Sequence, residues 1–590
     1  METIGCVTSI GLDSVRSNVL PGVWNRRIVP MLDRHFFLLC VALIGIASLR
    51  IVATINALSL TTDELGDYVC GLEYLTDHTY TRGPQHPPLS RIAHALGPYL
   101  AGERMPALPL VRWIGLQAIA YSSHPLRAIF LMRLGTLPFY LLFCLVVCGW
   151  SWYAFGKPAA VLATALFTQL PEPLANAGLG TTDTALAANV GAAFLAAVLW
   201  ARKPTWVRAM GMGVFTAFAC LSKFTALGYI PICLGFALIC YLAIQPPGFP
   251  NLWKWVTRHF ISFAAAAMVA ALVVWACYLF SVGHHFSHRL NLAIPVPAPA
   301  FVSGVRMQLS HNTVGHGAFL LGHFSWHGRW YYLLVALAVK TPIPIIVLTA
   351  MGLYVLLTQY LRPLYLLPVA FAAGILLPAS FGHIDIGIRY IEPIWMRVAI
   401  LSALGLRWLL QWSKALVRAV TAGVMMTWLV VSVALQHPDY RAYFNAFAGG
   451  KPEQIVVDSN YDWGQDIKLL ANRLRKLGVQ HVAFATTLDA GNRDPKEVVE
   501  RDHQLFQSWY GLPQTDVANV CVPAPGWNAV STTVEKSLSY WPTSRFYRGP
   551  GNPVQWYEKI APDDRVGPLL LFNIPADSKL RSDNCDPQVR

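Results

Sequence analysis

Apolar runs of about twenty residues recur along this chain, and they constrain its fold more tightly than anything else in it. A helix of about 20 apolar residues crosses the hydrocarbon core of a bilayer. Within that core every backbone N–H and C=O must be paired inside its own segment, so the runs must be helices. They fall at 36–60, 128–153, 159–175, 184–201, 209–222, 224–243, 259–282, 331–357, 364–382, 390–411 and 416–436. Only 13% of the 590 residues are charged and 55% are hydrophobic, against about 25% charged in soluble domains. The fold class expected is a polytopic α-helical membrane protein of about eleven transmembrane helices over residues 36–436. A polar segment (1–35) precedes them and a polar tail (437–590) follows.

The formal charge of +14 does not point to nucleic acid. The tail is close to neutral, and the excess lies in the membrane region, mostly between spans. Arg26, Arg27, Arg34, Lys157, Arg202, Lys203, Arg208, Lys254, Arg258, Arg362, Lys414 and Arg418 all fall on one side if the N-terminus is cytoplasmic, as the positive-inside rule requires. The first 35 residues carry Arg26, Arg27 and Arg34 and no small-residue cleavage site, so they read as a cytoplasmic lead-in rather than a signal peptide. Eleven spans then place the tail outside, together with two long loops, 61–127 and 283–330. In the first loop, Leu89–Leu100 and Val111–Tyr121 read as helices lying along the membrane surface or packing over the helix ends. Cys521 and Cys585 fall outside and could pair in an oxidising compartment. No Asn-x-Ser/Thr sequon occurs, which favours a bacterial inner membrane over a secretory pathway.

Ionisable side chains at the mouth of a membrane helix are costly and read as functional. Asp63 and Glu64 follow directly on the first span, with Asp67 and His86 close behind. A fixed carboxylate there can take a proton from a hydroxyl; the bland alternative is a solvated helix end. Asp183, in TTD ahead of the fourth span, is a second acidic group on the same side or a helix cap. Lys340 in KTP and Arg389 in IGIRYIEP (386–393) either bind a lipid phosphate or pair with nearby carboxylates such as Asp385 and Glu392. The 283–330 loop holds His284, His285, His288, His311, His316, His323 and His327. No carboxylate is interleaved among them, so bonds to phosphate or sugar hydroxyls fit better than a metal site. DSNYDWGQD (458–466) imitates a calcium loop but has glycine at the seventh position and Leu469 at the twelfth. It reads instead as a strand-to-helix turn with Asp462 as the helix cap, opening a small α/β region. No phosphate-binding glycine loop is present, since GGKP (449–452) lacks the P-loop spacing.

In this order, several motifs resemble the membrane-embedded, lipid-carrier-dependent glycosyltransferases of the GT-C class, family 39-like. That group includes the protein O-mannosyltransferases and the aminoarabinose transferases. The motifs are the Asp63–Glu64 pair, HPPL (86–89), TTD (181–183), GHGAFLLG (315–322) with WYYL and KTP, IGIRYIEP, YFN (443–445) and DSNYDWGQD. Gln85 stands where relatives of this kind usually have Glu. The resemblance implies a hexosyl, mannosyltransferase-like enzyme with no cofactor, of a class that need not carry a metal. Its donor would be a polyprenyl-phosphate sugar and its acceptor a hydroxyl of protein, lipid A or another envelope glycan. Asp63 would be the general base of an inverting attack, and Glu64 would help hold the acceptor. Arg389, with Lys340 or His86, would stabilise the departing phosphate; Asp183 and His316 would line the substrate site. The competing classes are a multispan lipid or sugar transporter or flippase, and an assembly protein recruiting partners through its tail.

Overall fold

The computed structural model of the protein describes residues 28–106, 114–246, 248–287, 292–412, 414–489, 496–542, 544, 546–549 and 552–583. Among these residues, seven helices are long and apolar enough to cross a membrane, or eight if one bent pair is a single span. They include Phe36–Ala57, Asp183–Arg202, Ala226–Ile244 and Ala415–Ala434. Each predicted apolar run is helical, but not each is one span. The run at 159–175 splits at Pro171 into Lys157–Phe167 and Pro171–Ala177. The run at 331–357 splits into Tyr332–Lys340 and Ile343–Gln359, bent by 114°. Thr341 precedes Pro342, and a residue before proline is driven out of the helical region; here it is extended.

Small residues set how closely the helices pack. Ile343–Gln359 and Trp395–Leu409 cross at Gly352 and Gly405, where a Cβ on either would collide with a backbone carbonyl of the opposite helix, Leu401 or Leu348. Aromatic side chains fill the wider gaps, as where Trp150 stacks on Phe194 at 5.3 Å.

Beyond the first span, helix Thr62–Asp77 packs on helix Pro88–Leu100, the first of the two expected loop helices; the second is Ile114–Ala120. The loop after the long helix Phe249–Cys277 forms two hairpins flanking helix Pro299–Val314. His288 and Cys585 lie outside the described residues, and Cys521 is bonded in a disulfide.

The tail carries a five-stranded sheet in the order Gln514–Val517, His481–Ala485, Gly526–Ser531, Leu569–Ile574, Asp564–Val566. The first three strands are parallel and the last two antiparallel. Helix Ile467–Lys476 buries Leu470, Ala471 and Leu474 and ends before Gly478, which takes φ +69°. Asp462 does not cap this helix. It sits at the end of the central strand, accepting from the Ser531 hydroxyl and from Gly464 N–H at 3.2 Å. The tail is locked onto the helices. Ser59 donates to Gln465 and Gly464 carbonyls at 2.8 and 2.9 Å and accepts from Ile467 N–H at 2.9 Å. Asn460 donates to the Tyr332 hydroxyl at 2.7 Å.

Candidate active site

The first helix turn after the opening span sorts its two adjacent carboxylates by direction. Thr61 begins Thr62–Asp77 through a capping box, its N–H and hydroxyl donating to Glu64 Oε2 at 2.8 and 3.0 Å, which satisfies donors that a helix start leaves open. That turns Glu64 inward, where Arg133 grips both oxygens at 2.7 and 2.8 Å and Gly180 N–H adds a third bond at 2.7 Å. The Arg133 charge and these bonds hold the Glu64 carboxyl below its usual range despite the opposing cost of burial, the largest single influence on it. Asp63, one step round the helix, faces outward with its side chain 37% exposed.

Asp63 meets Arg389, whose Nη1 donates to Asp63 Oδ2 at 2.7 Å and to Asp183 Oδ2 at 3.4 Å. Arg389 is fixed by Ser459 Oγ at 3.0 Å from its Nε and by the Trp463 ring, 4.1 Å from the guanidinium carbon. Among the described residues no hydrogen bond involves its Nη2. Asp183, buried at the start of its span, also accepts from Lys223 Nζ at 2.6 Å. Asp63, Arg389, Asp183 and Lys223 thus form a row of alternating sign at one end of the helices. Lys223 lies over the Tyr390 ring at 4.7 Å. Tyr390 and Phe224 in turn line an apolar cavity of about 280 Å³ that runs between Ala226–Ile244, Pro299–Val314 and Pro363–Ser380.

His86 hangs from a loop that its neighbours hold rigidly. Arg91 pairs with Asp67 at 2.7 Å and bonds the Gly83 and His86 carbonyls and the Tyr80 hydroxyl. Tyr80 donates to the His86 carbonyl at 2.6 Å, and Glu73 accepts from Thr81 and Arg82 N–H at 2.9 and 3.1 Å. Burial, then the charges of Arg91, Lys223, Arg389 and His311, push the His86 imidazole well below its usual range. It is neutral at pH 7, and its Nδ1 is buried with no hydrogen-bond partner among the described residues. His316 is also neutral, lowered to about 3 by burial and by the charges of His311 and Arg389; it shares a 3.2 Å hydrogen bond with His311.

The expected residues therefore divide. Asp63, Asp183 and Arg389 are in direct contact, and His86 and His316 lie within electrostatic reach of Arg389. Glu64 is enclosed by its own partners. Lys340 is elsewhere: fully buried, it pairs with Glu172 at 2.9 Å and donates to the Arg441 and Asn460 carbonyls at 2.5 and 2.7 Å. Two residues join the site that the sequence reading left out. Lys223 stands alone in a one-residue break between two apolar runs, and that isolated cation was the available signal. Asp458 comes from the false calcium loop, where a φ of +59° is strained for a residue with a Cβ. Burial raises its carboxyl to about 6, with the charges of Arg389 and Asp63 acting on it in opposite directions. Among the described residues, no three His, Cys, Asp or Glu side chains gather to hold a metal ion.

No protein-family model and no curated protein matches the chain. Among solved structures it is similar to ArnT from Cupriavidus metallidurans. The apo form is 16% identical over 74% of this chain and 71% of that one, with a TM-score of 0.46. The form bound to undecaprenyl phosphate is 14% identical over 83% and 92%, with a TM-score of 0.48. The archaeal oligosaccharyltransferase AglB from Archaeoglobus fulgidus, solved with an inhibitory peptide and a dolichol-phosphate, is 12% identical over 84% and 70%, with a TM-score of 0.42. At these scores the likeness carries no argument about chemistry, and the site is read from its own geometry.

Proposed function

We propose that the protein is an inverting glycosyltransferase that moves a sugar from a polyprenyl-phosphate carrier to an acceptor hydroxyl. The observation that carries this reading is the junction of an apolar cavity with the charge row. The cavity suits an isoprenoid tail, and Lys223 and Arg389, the chain neighbours of its lining residues Phe224 and Tyr390, would meet the phosphate head. A phosphate arriving there competes with Asp63 for Arg389 and frees the carboxylate to act as base. Asp63 then takes the acceptor proton while the acceptor oxygen bonds to the anomeric carbon. The bond from that carbon to the phosphate oxygen breaks, and its electron pair leaves on the polyprenyl phosphate. Lys223 and Arg389 stabilise the charge that grows on this leaving group, in a water-poor setting where such stabilisation is strongest. The phosphate leaves unprotonated at neutral pH, so one base suffices. His86, being neutral, contributes hydrogen bonding rather than charge. Glu64 is a positioning residue: it fixes the helix turn that aims Asp63. The setting is a bacterial inner membrane, with the N-terminus cytoplasmic and the tail outside.

The test uses purified protein in lipid nanodiscs with radiolabelled polyprenyl-phosphate hexoses, comparing wild type with Asp63→Asn. Sugar release by wild type, lowered at least a hundredfold in the variant, supports the assignment; equal release by both overturns it. One observation favours a transporter as the second reading, the broken span at Lys340, since broken helices are common in transporters. Donor movement across the bilayer with no sugar release would select it.

A further inference from the structure

Alongside the charge row lies a cluster of rings assembled from two distant parts of the chain. Trp326 and Phe324 come from the second hairpin of the 283–330 loop; Tyr540 and Trp541 come from the tail. Phe324 stacks on Tyr540 at 4.8 Å, and Trp326 lies 5.3 Å from Trp541. His316 is edge-on to Trp541 at 4.7 Å. Trp326 is 41% exposed, and Trp541 and Tyr540 are half-buried, so this is not a closed core.

The location is informative. From His316 the backbone leads straight to the proposed base: His316 bridges Ile384, Ile386 accepts from the Ser459 hydroxyl, and Ser459 holds Arg389 against Asp63. On the tail side, the parallel strands His481–Ala485 and Gly526–Ser531 are central neighbours. The chain leaves the first toward one edge of the sheet and returns on the other side of it through the second. The crevice at the carboxyl ends of such strands is where α/β sheets bind ligands. The segment leaving Ser531 carries Thr533, which accepts from Asp458 N–H at 2.9 Å, and then delivers Tyr540 and Trp541 to the cluster.

We propose that Trp326 and Trp541 form a stacking platform for a sugar ring of the acceptor, which makes the acceptor a carbohydrate. This rests on the transferase reading, since it names the molecule whose hydroxyl reaches Asp63. A pyranose offers an apolar face of C–H bonds to the electron-rich face of an aromatic ring, and its edge of hydroxyls to hydrogen-bonding groups. The His311–His316 pair supplies such groups beside the rings. A membrane-interface belt uses single amphipathic rings set at headgroup level. Here the Trp541 indole nitrogen is instead pressed against Gly317, where a Cβ would sit 2.4 Å from it, so the ring is held in one orientation by the opposite segment.

The experiment titrates full-length protein in nanodiscs with chitotetraose and maltotetraose and follows tryptophan emission and calorimetric heat. The variants are Trp541→Ala, Trp541→Phe and Gly317→Ala, with thermal midpoints checking the fold. Saccharide binding weakened at least tenfold in Trp541→Ala and Gly317→Ala, but retained in Trp541→Phe, supports the platform. Equal binding in all variants overturns it. So does binding of a serine-rich decapeptide in place of either saccharide, or quenching of these tryptophans by brominated lipid with no saccharide response. No turnover is needed, so failure here is separate from failure of the Asp63→Asn experiment, which tests the transferase reading itself.

Discussion

Arg389 Nη1 lies 2.7 Å from Asp63 Oδ2, although 326 residues separate the two in sequence. The pair closes the gap between the first span and the tenth apolar run. In the proposed reaction it is this partner that an incoming phosphate takes from the outward carboxylate.

Glu64→Gln tests whether the second carboxylate is chemical or positional. The substitution leaves Arg133 with an uncompensated buried charge, and breaking such a pair costs about 3–5 kcal/mol. The expected result is a lower thermal midpoint and less folded protein, with sugar release per folded molecule falling far less than in Asp63→Asn. A fully folded Glu64→Gln protein as inactive as Asp63→Asn would make Glu64 a catalytic residue.

Gly228 lines the apolar cavity, and a Cβ built on it meets nothing within 4 Å. Gly228→Phe should therefore fill the cavity without disturbing the helix. Affinity for undecaprenyl phosphate, measured by native mass spectrometry, should drop at least tenfold with the thermal midpoint nearly unchanged. Undiminished binding would remove the tail from this cavity.

Arg397 is fully buried, and among the described residues none of its three guanidinium nitrogens has a hydrogen-bond partner. It is held between the Trp150 ring at 3.8 Å and the Phe371 ring at 4.3 Å. Cation–π contact offsets only part of the desolvation cost, and replacing buried charge with a well-packed apolar side chain is often neutral or stabilising. Arg397→Met is expected to leave the thermal midpoint unchanged or raise it. Arg397→Ala, which leaves a cavity, should lower it by an amount equivalent to about 2–4 kcal/mol. Collapse of the Met variant would show that the charge itself is needed.

Asp462 gives a pH dependence with a definite sign. Burial raises its carboxyl from 3.8 to about 6, so between these values the folded protein holds a proton that the unfolded chain has lost. Its contribution to stability is present below pH 3.8 and is lost as pH rises through 6. Two units correspond to about 3 kcal/mol at most. Wild type should lose thermal stability from pH 4.5 to 7.5 more steeply than Asp462→Asn. Parallel curves would mean that Asp462 is ionised throughout.

The spans were legible because lipid permits one solution for a long apolar run. Their breaks were less so: the 114° bend after Lys340 shows in sequence only as the dipeptide Thr341–Pro342. In the site, Asp63, Asp183 and Arg389 could be named from their places at span ends. Their pairing could not, because it depends on how spans pack. Glu64 looked equivalent to Asp63 until the capping box at Thr61 fixed which of the two turns inward. For Lys340 the sequence left phosphate and carboxylate equally open, and the partner seen is Glu172, 168 residues away in the chain. Asp458 was hidden because its loop reads as a failed calcium site or as a turn capped by Asp462, and its left-handed backbone leaves no mark on composition.

Arg389 takes its position from Ser459, and Ile388 N–H donates to Asn460 at 2.9 Å; both partners are made some seventy residues later. A ribosome therefore inserts nearly every span before the arginine can be set. Until then the chain has the carboxylates and the lysine but not the geometry that couples them, so the charge row is completed only by the last part of the chain. Shortening the protein at residue 436 would remove that brace, and the remaining helices would hold a scattered set of charges rather than a smaller version of the same row.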